Sequence, residues 1–345
     1  MAEAEAQVLP GDDTQAKAQF HAVLRFAVGT AAAFVLCEAM GWLPTFLAPL
    51  LAATLLGNLP MALSPKAGIA LIMVQAIGAY SAFGLASALH LTPLVYFGAA
   101  ALIVVGCFAI LAQGKAMLPI LLTLIAFATI PVVTMVAPQQ AGALPLAFTR
   151  AMVIAVGVIW LVQSLWPERA KATPPPPAAA GFTSPMVMAL AGAAIVLPLM
   201  LIYLLYGITD ALPVLITTIV LVTTFDLRRG AIQGFAMVIA NLVGGATAIG
   251  AYMLLQAGPS LFTLGLVALL LGLVFGSRVA RGGPGAGVAV ITYNQATVLF
   301  SLALVPGGAA PGLWLTRVVQ FGLAGMFAVA MLILFLPRTA RTGNS

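Results

Sequence analysis

Long apolar runs separated by short polar turns constrain the fold of this 345-residue chain more than any other feature. A helix needs about 20 apolar residues to cross the roughly 30 Å hydrocarbon core of a bilayer. Because lipid offers no hydrogen-bond partners, a span must satisfy its own backbone, which a helix does. The sequence therefore predicts an all-α polytopic membrane protein. The long runs are 20–43, 67–89, 92–114, 116–138, 142–167, 186–208, 229–256, 260–279, 283–304 and 312–337.

Two shorter apolar runs, 46–63 and 211–226, bring the predicted number of transmembrane helices to about twelve. Composition supports this class, because 63% of the residues are hydrophobic and 6% are charged, far from the balance of soluble domains. The acidic residues within 1–19 do not resemble the basic segment that precedes the apolar core of a signal peptide. We therefore expect no cleaved leader and a first run that remains as a helix.

The basic residues predict the orientation of the spans. Of the 14 Lys and Arg residues, all except Arg150 and Arg317 fall near the start of the first span, in alternate connections or in the C-terminal tail. By the positive-inside rule that side is cytoplasmic. We expect a multi-pass protein of the bacterial inner membrane with both termini in the cytoplasm. The net charge of +6 then reflects topology, and nucleic-acid binding is not expected.

Neither enzymatic chemistry nor a bound metal or cofactor is indicated by the polar residues. Cys37 and Cys107 both lie within apolar runs, where a small core residue is the expected role. His21 and His90 fall near opposite faces of the predicted membrane and form no cluster with them. We therefore expect a protein that is not an enzyme and has no cofactor.

Three sets of residues recur in the same order in the two parts of the chain, at nearly constant offsets of 164, 166 and 167 residues. Internal repeats of this kind indicate duplication of a structural unit. The glycines within the sets predict close helix packing. The matched sets are Pro49 and Thr54 with Pro213 and Thr218, then Gln75, Gly78 and Gly84 with Asn241, Gly244 and Gly250, and finally Arg150 with Arg317.

The repeat predicts two membrane units of six helices each, 20–167 and 186–337. Because six is even, both units have the same orientation, and an axis along the membrane normal relates them. The segment 168–185 is rich in Pro and Ala and predicts an extended cytoplasmic linker. Cytoplasmic tails of 1–19 and 338–345 complete the predicted organisation.

Arg150 and Arg317 lie inside apolar runs, about six residues from the predicted outer ends of the sixth and twelfth spans. A charge inside a membrane span is costly and usually functional. Two guanidiniums facing a shared cavity would attract anions, and their planar fork suits a carboxylate. Two other roles remain open, because each side chain could reach the outer headgroups or pair with an acidic residue.

Glu38 and Asp210 are the acidic residues on the predicted outer side. Both are candidates for proton coupling, and either could instead pair with an arginine. Glu38 is the stronger candidate, because a carboxyl group in an apolar setting can hold and release a proton. An ion pair or an interfacial position is the alternative for this residue.

The shortest spans are the second and the eighth, and each carries a proline near its outer end. Short, proline-interrupted segments at matching positions of two halves indicate a transport site. Thr54 and Thr218 are therefore candidates for substrate binding, although membrane threonines commonly bond their own helix backbone. Asn294 and Gln295, near the middle of the eleventh span, are candidates as well. Each amide could hold substrate or form an interhelical hydrogen bond.

Several local patterns carry a resemblance to a known family. They are LRFAVGTAAAFVL at 24–36, the Gly-Trp pair at 41–42, LAPLLAATLL at 47–56, and the Thr-Arg pairs at 149–150 and 316–317. With two six-helix blocks, the chain resembles the fusaric acid resistance and aromatic acid exporter superfamily, especially its branch of small bacterial inner-membrane proteins. Typical exporters of this superfamily have a soluble cytoplasmic domain after each membrane block, whereas this chain has only the short linker.

The resemblance implies proton-driven export of aromatic or other small organic acids, with a periplasmic adaptor protein as a possible partner. It also implies an anion-facing role for Arg150 and Arg317. A major-facilitator-type permease is an alternative, because that class also has parallel six-helix halves. LSPKAG at 63–68 lacks its loop signature, although FDLRRG at 225–230 faintly resembles it. A membrane subunit that docks an adaptor without transporting is the third possibility.

Overall fold

The computed structural model describes residues 12–59, 62–113, 117–167, 185–207 and 230–305, with isolated residues in 215–222 and 316–330. Every regular element in these ranges is an α-helix, which confirms the predicted class for this part of the chain. The helices are α1 (Asp12–Ala39), α2 (Leu47–Asn58), α3 (Pro65–Ala88), α4 (Pro93–Ala112), α5 (Met117–Val136), α6 (Pro138–Ala141), α7 (Leu144–Leu165), α8 (Pro185–Tyr206), α9 (Gly230–Gln256), α10 (Leu261–Arg281) and α11 (Pro284–Leu304).

Nine helices of the described part have the length and apolar composition needed to cross a bilayer. They correspond to nine of the ten long runs predicted from sequence, so the protein is a multi-pass membrane protein. The tenth run, 312–337, and the short run 211–226 contain only isolated described residues. The count of twelve spans and the pairing of two six-helix units therefore stay predictions.

Local sequence explains where several helices begin and end. Ser64 caps α3, because its hydroxyl accepts a hydrogen bond from the Ala67 N–H at 3.2 Å. Ser260 caps α10 in the same way, accepting from the Thr263 N–H at 3.1 Å. Between α10 and α11, Gly282 and Gly283 have φ angles of 69° and 73°, a conformation that glycine adopts without strain. These residues make the chain reverse direction at this turn.

Helix α2 is too short to cross a bilayer and is enclosed by protein. Its 12 residues span roughly 18 Å at 1.5 Å per residue. All residues from Leu47 to Leu55 are buried, so α2 has no lipid-facing side over this stretch. It packs against α1, α7 and α11. The predicted second apolar run, 46–63, thus forms a short helix with Pro49 in its first turn, and its crossing of the membrane stays a prediction.

Two helix pairs make the most extensive contacts between the N-terminal and C-terminal parts of the chain. Helix α1 lies against α10, and α4 lies against α8. In the first pair, a Cβ placed on Gly272 would be 2.6 Å from the Ala27 Cα and 3.0 Å from its carbonyl oxygen. Only glycine permits that approach of two backbones. In the second pair, a Cβ on Gly192 would be 2.6 Å from the Phe108 ring.

Two further helix pairs have matching places in the two parts. Helix α3 packs against α5, and α9 packs against α11. A Cβ on Gly244 would lie 2.7 Å from the Gln295 Cβ, which confirms the predicted packing role of this glycine. Gly78 makes ordinary contacts with Thr123 and Ala126. At Gly84 and Gly250 no heavy atom of the described residues lies within 4 Å of an added Cβ, so close packing at these two glycines stays a prediction.

Candidate functional site

Helices α2 and α11 meet along an antiparallel contact between the two parts of the chain. Near the start of α2, the hydroxyls of Thr45 and Ser301 are 2.6 Å apart and both residues are buried. Near its end, a Cβ on Gly57 would lie 2.5 Å from Val290 Cγ2. Residue numbers along α11 therefore decrease as residue numbers along α2 increase, so the two helices run antiparallel. This register brings the middle of α11 beside the second half of α2.

Two polar side chains, Thr54 and Asn294, meet in the middle of this contact, and Gln295 follows on α11 where it packs against Gly244 of α9. We call these three residues the polar seam. The Thr54 hydroxyl donates to the Leu50 carbonyl at 2.8 Å and accepts from Asn294 Nδ2 at 3.2 Å. The backbone bond that was one alternative for Thr54 and the interhelical bond that was one alternative for Asn294 are thus both present. The structure brings together two candidates that lie 240 residues apart in sequence.

The amide groups of the polar seam are incompletely hydrogen-bonded within the described residues. Asn294 Oδ1 and both side-chain amide atoms of Gln295 are buried without a partner there. Leaving one such group unpaired costs about 1–3 kcal/mol, so native structures keep few of them. Gln295 is fully buried, so it does not reach lipid or solvent. These groups are consistent with a site that a polar ligand or water occupies.

Aromatic packing sets the orientation of α11 at the seam. The ring of Tyr293 meets Phe26 of α1 edge-on, with centroids 5.2 Å apart. It also meets Phe275 of α10 edge-on at 6.2 Å. Such edge-to-face pairs are favourable by about 0.5–1.5 kcal/mol beyond area burial. With Tyr293 turned toward α1 and α10, the next two residues face α2 and α9.

The repeat anchors Gln75 and Asn241 are buried at corresponding places in α3 and α9. Both amide atoms of Gln75 and the Oδ1 of Asn241 are without a hydrogen-bond partner in the described ranges.

The other candidate residues lie apart from these anchors in sequence. Thr218 is buried, and Glu38 is partly exposed in the last turn of α1. Arg317, Asp210 and Pro213 lie outside the described residues.

Arg150 contacts the connection between α1 and α2. Its guanidinium carbon lies 4.7 Å from the centroid of the Trp42 ring, and its Nη2 donates to the Leu43 carbonyl at 3.3 Å. These contacts attach α7 to the α1–α2 connection and not to the polar seam. The sequence left open an acidic partner for this arginine. In the described part of the chain it contacts the Trp42 ring and the Leu43 carbonyl.

We expect Arg150→Ala to lower the free energy of unfolding by about 1 kcal/mol, because a cation–π contact near the surface contributes about that much. Arg150→Lys is the matched control, since it keeps the charge and loses the planar stacking. Thermal unfolding in detergent and a transport assay on both variants separate the possible roles. A role in holding the loop requires both variants to lose stability. An anion-attracting role requires the lysine variant alone to keep transport.

Arg25 was predicted only as a marker of the cytoplasmic side, and the structure gives it a different environment. It is 6% exposed, and its Nη1 donates to the Trp166 carbonyl at 3.0 Å. This bond joins α1 to the end of α7, 141 residues later. Its place five residues inside the first apolar run was the signal that separated it from a loop residue.

Comparisons with known proteins cover part of the chain. A family model described as a protein of unknown function, DUF2955, matches residues 22–162. That family is a family of membrane proteins. No curated protein and no solved structure matches the chain.

Proposed function

We propose that the protein is an inner-membrane transporter that exports small organic anions in exchange for protons. The observation that carries the proposal is the polar seam, because Thr54 and Asn294 are buried at the junction of the two parts of the chain, Gln295 is buried beside them toward α9, and amide atoms of both α11 residues are unpaired in the described ranges. Polar groups that are buried within membrane helices are typical of transport pathways. Membership of the fusaric acid resistance and aromatic acid exporter superfamily is part of the proposal.

Packing supports a duplicated architecture of two six-helix units. In the predicted numbering of spans, α1 and α4 are the first and fourth of one unit, whereas α8 and α10 are the first and fourth of the other. The first helix of each unit therefore packs on the fourth helix of the other. A two-fold axis between equivalent units produces this reciprocal pattern. The family match at 22–162, which falls within the first predicted unit, is consistent with the same division.

Contacts at the two reciprocal interfaces occupy equivalent positions. Phe26 faces Gly276, and Phe108 faces Gly192. Phe26 lies 166 residues before Gly192, and Phe108 lies 168 residues before Gly276, close to the offsets of the sequence repeat. Both phenylalanines belong to the first unit and both glycines to the second. This complementarity favours pairing of unlike units over pairing of like ones.

Orientation and partners complete the proposal. Both termini are cytoplasmic. The α1–α2 connection, with Trp42 and the contacting Arg150 of α7, faces the periplasm. A periplasmic adaptor protein is the partner expected at that face. The excess of basic residues in alternate connections supports this orientation.

Inside-out membrane vesicles that contain the protein are expected to accumulate radiolabelled propionate or benzoate when the lumen is more acidic than the medium. The pH gradient supplies the driving force, so a protonophore should abolish the accumulation.

Glu38→Gln removes the candidate proton carrier. We expect it to lose gradient-driven accumulation while equilibration of the anion down its own gradient continues.

Vesicles without the protein are the background control for these measurements. Accumulation equal to that background for aliphatic and aromatic acids alike would contradict transport. Gradient-driven accumulation that is unaltered in Glu38→Gln would leave transport standing and end the coupling role of Glu38.

A further inference from the structure

A partly open crevice lies where the ends of α2, α7 and α10 meet α1. The positive-inside rule assigns these helix ends to the cytoplasmic side. The crevice wall includes Gly57 of α2, and the neighbouring exposed Asn58 donates from its Nδ2 to the Thr54 carbonyl at 2.8 Å. The wall therefore comes within one helical turn of the polar seam, a rise of about 4.5 Å along α2.

An apolar contact separates the crevice from the polar seam along α2 and α11. A Cβ placed on Gly57 would lie 2.5 Å from Val290 Cγ2, so the two helices touch here without room for a water molecule. Gly57 follows Thr54 by one turn of α2, and Val290 precedes Asn294 by one turn of α11. The contact of Val290 with Gly57 therefore occupies the turn between the crevice and the hydrogen bond of Thr54 with Asn294.

A group of buried apolar side chains surrounds this contact and is distinct from the main hydrophobic core, and we call it the apolar cluster. Its members are Phe26, Ala53, Phe275, Val290, Tyr293 and Ala296. Phe26 also lines the crevice, and Leu56 and Val279 of the crevice wall pack against the cluster. The cluster thus bounds the inner end of the crevice with side chains from both parts of the chain.

A closed apolar constriction opposes the passage of water and charged solutes. Such groups lose their hydrogen-bond partners on entering it, and hydrophobic constrictions gate membrane pores by this means. Polar groups lie on both sides of the constriction in this protein. Asn58 is exposed on the cytoplasmic side, whereas Asn294 is buried beyond the constriction with its Oδ1 unpaired in the described ranges.

We propose that the contact of Val290 with Gly57 is a gate that controls access from the cytoplasm to the polar seam, and that it is closed in this structure. The crevice is the entrance to this gate, and the apolar cluster supports its closed form. Because α2 and α11 belong to different parts of the chain, the gate opens when these parts separate at the cytoplasmic side. This inference deepens the proposed function and rests on it for the movement of substrate through the polar seam.

Cysteine accessibility in inside-out vesicles tests the closed form, because their outer surface is the cytoplasmic side. A membrane-impermeant methanethiosulfonate reagent is applied to the full-length protein carrying Cys37→Ala and Cys107→Ala. In this background Ala280→Cys reports on the crevice wall and Thr54→Cys reports on the polar seam. We expect Ala280→Cys to be modified at least about tenfold faster than Thr54→Cys.

Val290→Ala removes the methyl groups that touch Gly57, so it should raise the modification rate of Thr54→Cys about tenfold. Val298→Ala is the matched control, because it makes the same change to a buried valine about two turns further along α11. We expect the Thr54→Cys rate to stay within about twofold in the control. Equal rates in the two variants overturn the gate, and so does fast modification of Thr54→Cys while Val290 is intact.

A disulfide across the contact tests whether the gate opens during transport, and it does not depend on the folding of Val290→Ala. A Cβ on Gly57 would lie 3.7 Å from the Val290 Cβ, close to the roughly 3.8 Å between Cβ atoms in disulfides. In the cysteine-free background, Gly57→Cys with Val290→Cys should transport propionate under dithiothreitol. Oxidation by copper phenanthroline should lower this transport at least about tenfold, and dithiothreitol should restore it.

The cysteine-free protein without this pair is the control, and the oxidant should leave its transport unchanged. Undiminished transport after the disulfide has formed rejects the gate and retains the transporter. Modification of Thr54→Cys that depends on Val290, in vesicles where even the cysteine-free protein does not transport, retains the gate and rejects the proposed function.

Discussion

Gly272→Leu is expected to give the largest loss of stability of any single substitution considered, because it forces α1 and α10 apart. A Cβ at this position would lie 2.6 Å from the Ala27 Cα and 3.0 Å from its carbonyl oxygen, and backbone atoms cannot rotate out of the way. Overpacking of this kind typically costs about 1–3 kcal/mol and sometimes more. Thermal unfolding in detergent and size-exclusion chromatography should show a lowered midpoint and a broadened, aggregated profile.

Gly250→Leu is the matched control for this substitution. It makes the same chemical change in a membrane helix, at a position with no heavy atom of the described residues within 4 Å of the added Cβ. We expect it to leave the unfolding midpoint close to that of the unaltered protein. Equal behaviour of the two variants would show that the α1–α10 contact does not hold the two parts together.

Gln295→Met is expected to abolish transport without lowering stability. Methionine has nearly the same shape and length as glutamine, so the packing against Gly244 is kept. The substitution removes two buried amide atoms that have no partner in the described ranges, and replacing such groups with apolar ones is neutral or stabilising. We expect vesicle accumulation of the anion to fall at least about tenfold while the unfolding midpoint is equal or higher.

Ser301→Ala provides the opposite pattern on the same helix. It leaves the buried Thr45 hydroxyl without its partner at 2.6 Å, which should cost about 1–3 kcal/mol. Because this bond lies outside the polar seam, we expect transport by the folded protein to continue.

Normal transport by Gln295→Met would show that the polar seam is not part of the transport pathway. Strong destabilisation of this variant would instead give Gln295 a structural role.

Individual helices were predictable because the information for them is local. An apolar run of sufficient length forms a span wherever its partners lie, so nine long runs appear as helices with similar bounds. That the second apolar segment is short could be predicted for the same reason, since Ser64 and Pro65 mark the start of α3. Thr54 and Asn294 could be nominated one by one as polar residues in apolar segments.

The meeting of those two residues could not be predicted from either segment. Their hydrogen bond depends on the antiparallel register of α2 and α11, which is set by contacts such as Gly57 with Val290. Arg25 and Arg150 show the same limit. Charge placement made Arg150 a candidate and Arg25 only a marker of orientation. The carbonyl beside Arg25 and the ring beside Arg150 come from segments that only the fold brings close.

The sequence alone therefore determined that this is a helical multi-pass membrane protein, where most of its spans lie and which of them is short. These properties follow from the length and polarity of each run measured against the thickness of a bilayer. Only the tertiary structure decided that α1 packs on α10, that α4 packs on α8, and that Thr54 meets Asn294. In lipid no hydrophobic force selects helix partners, so the choice depends on shape complementarity between distant glycines and large side chains.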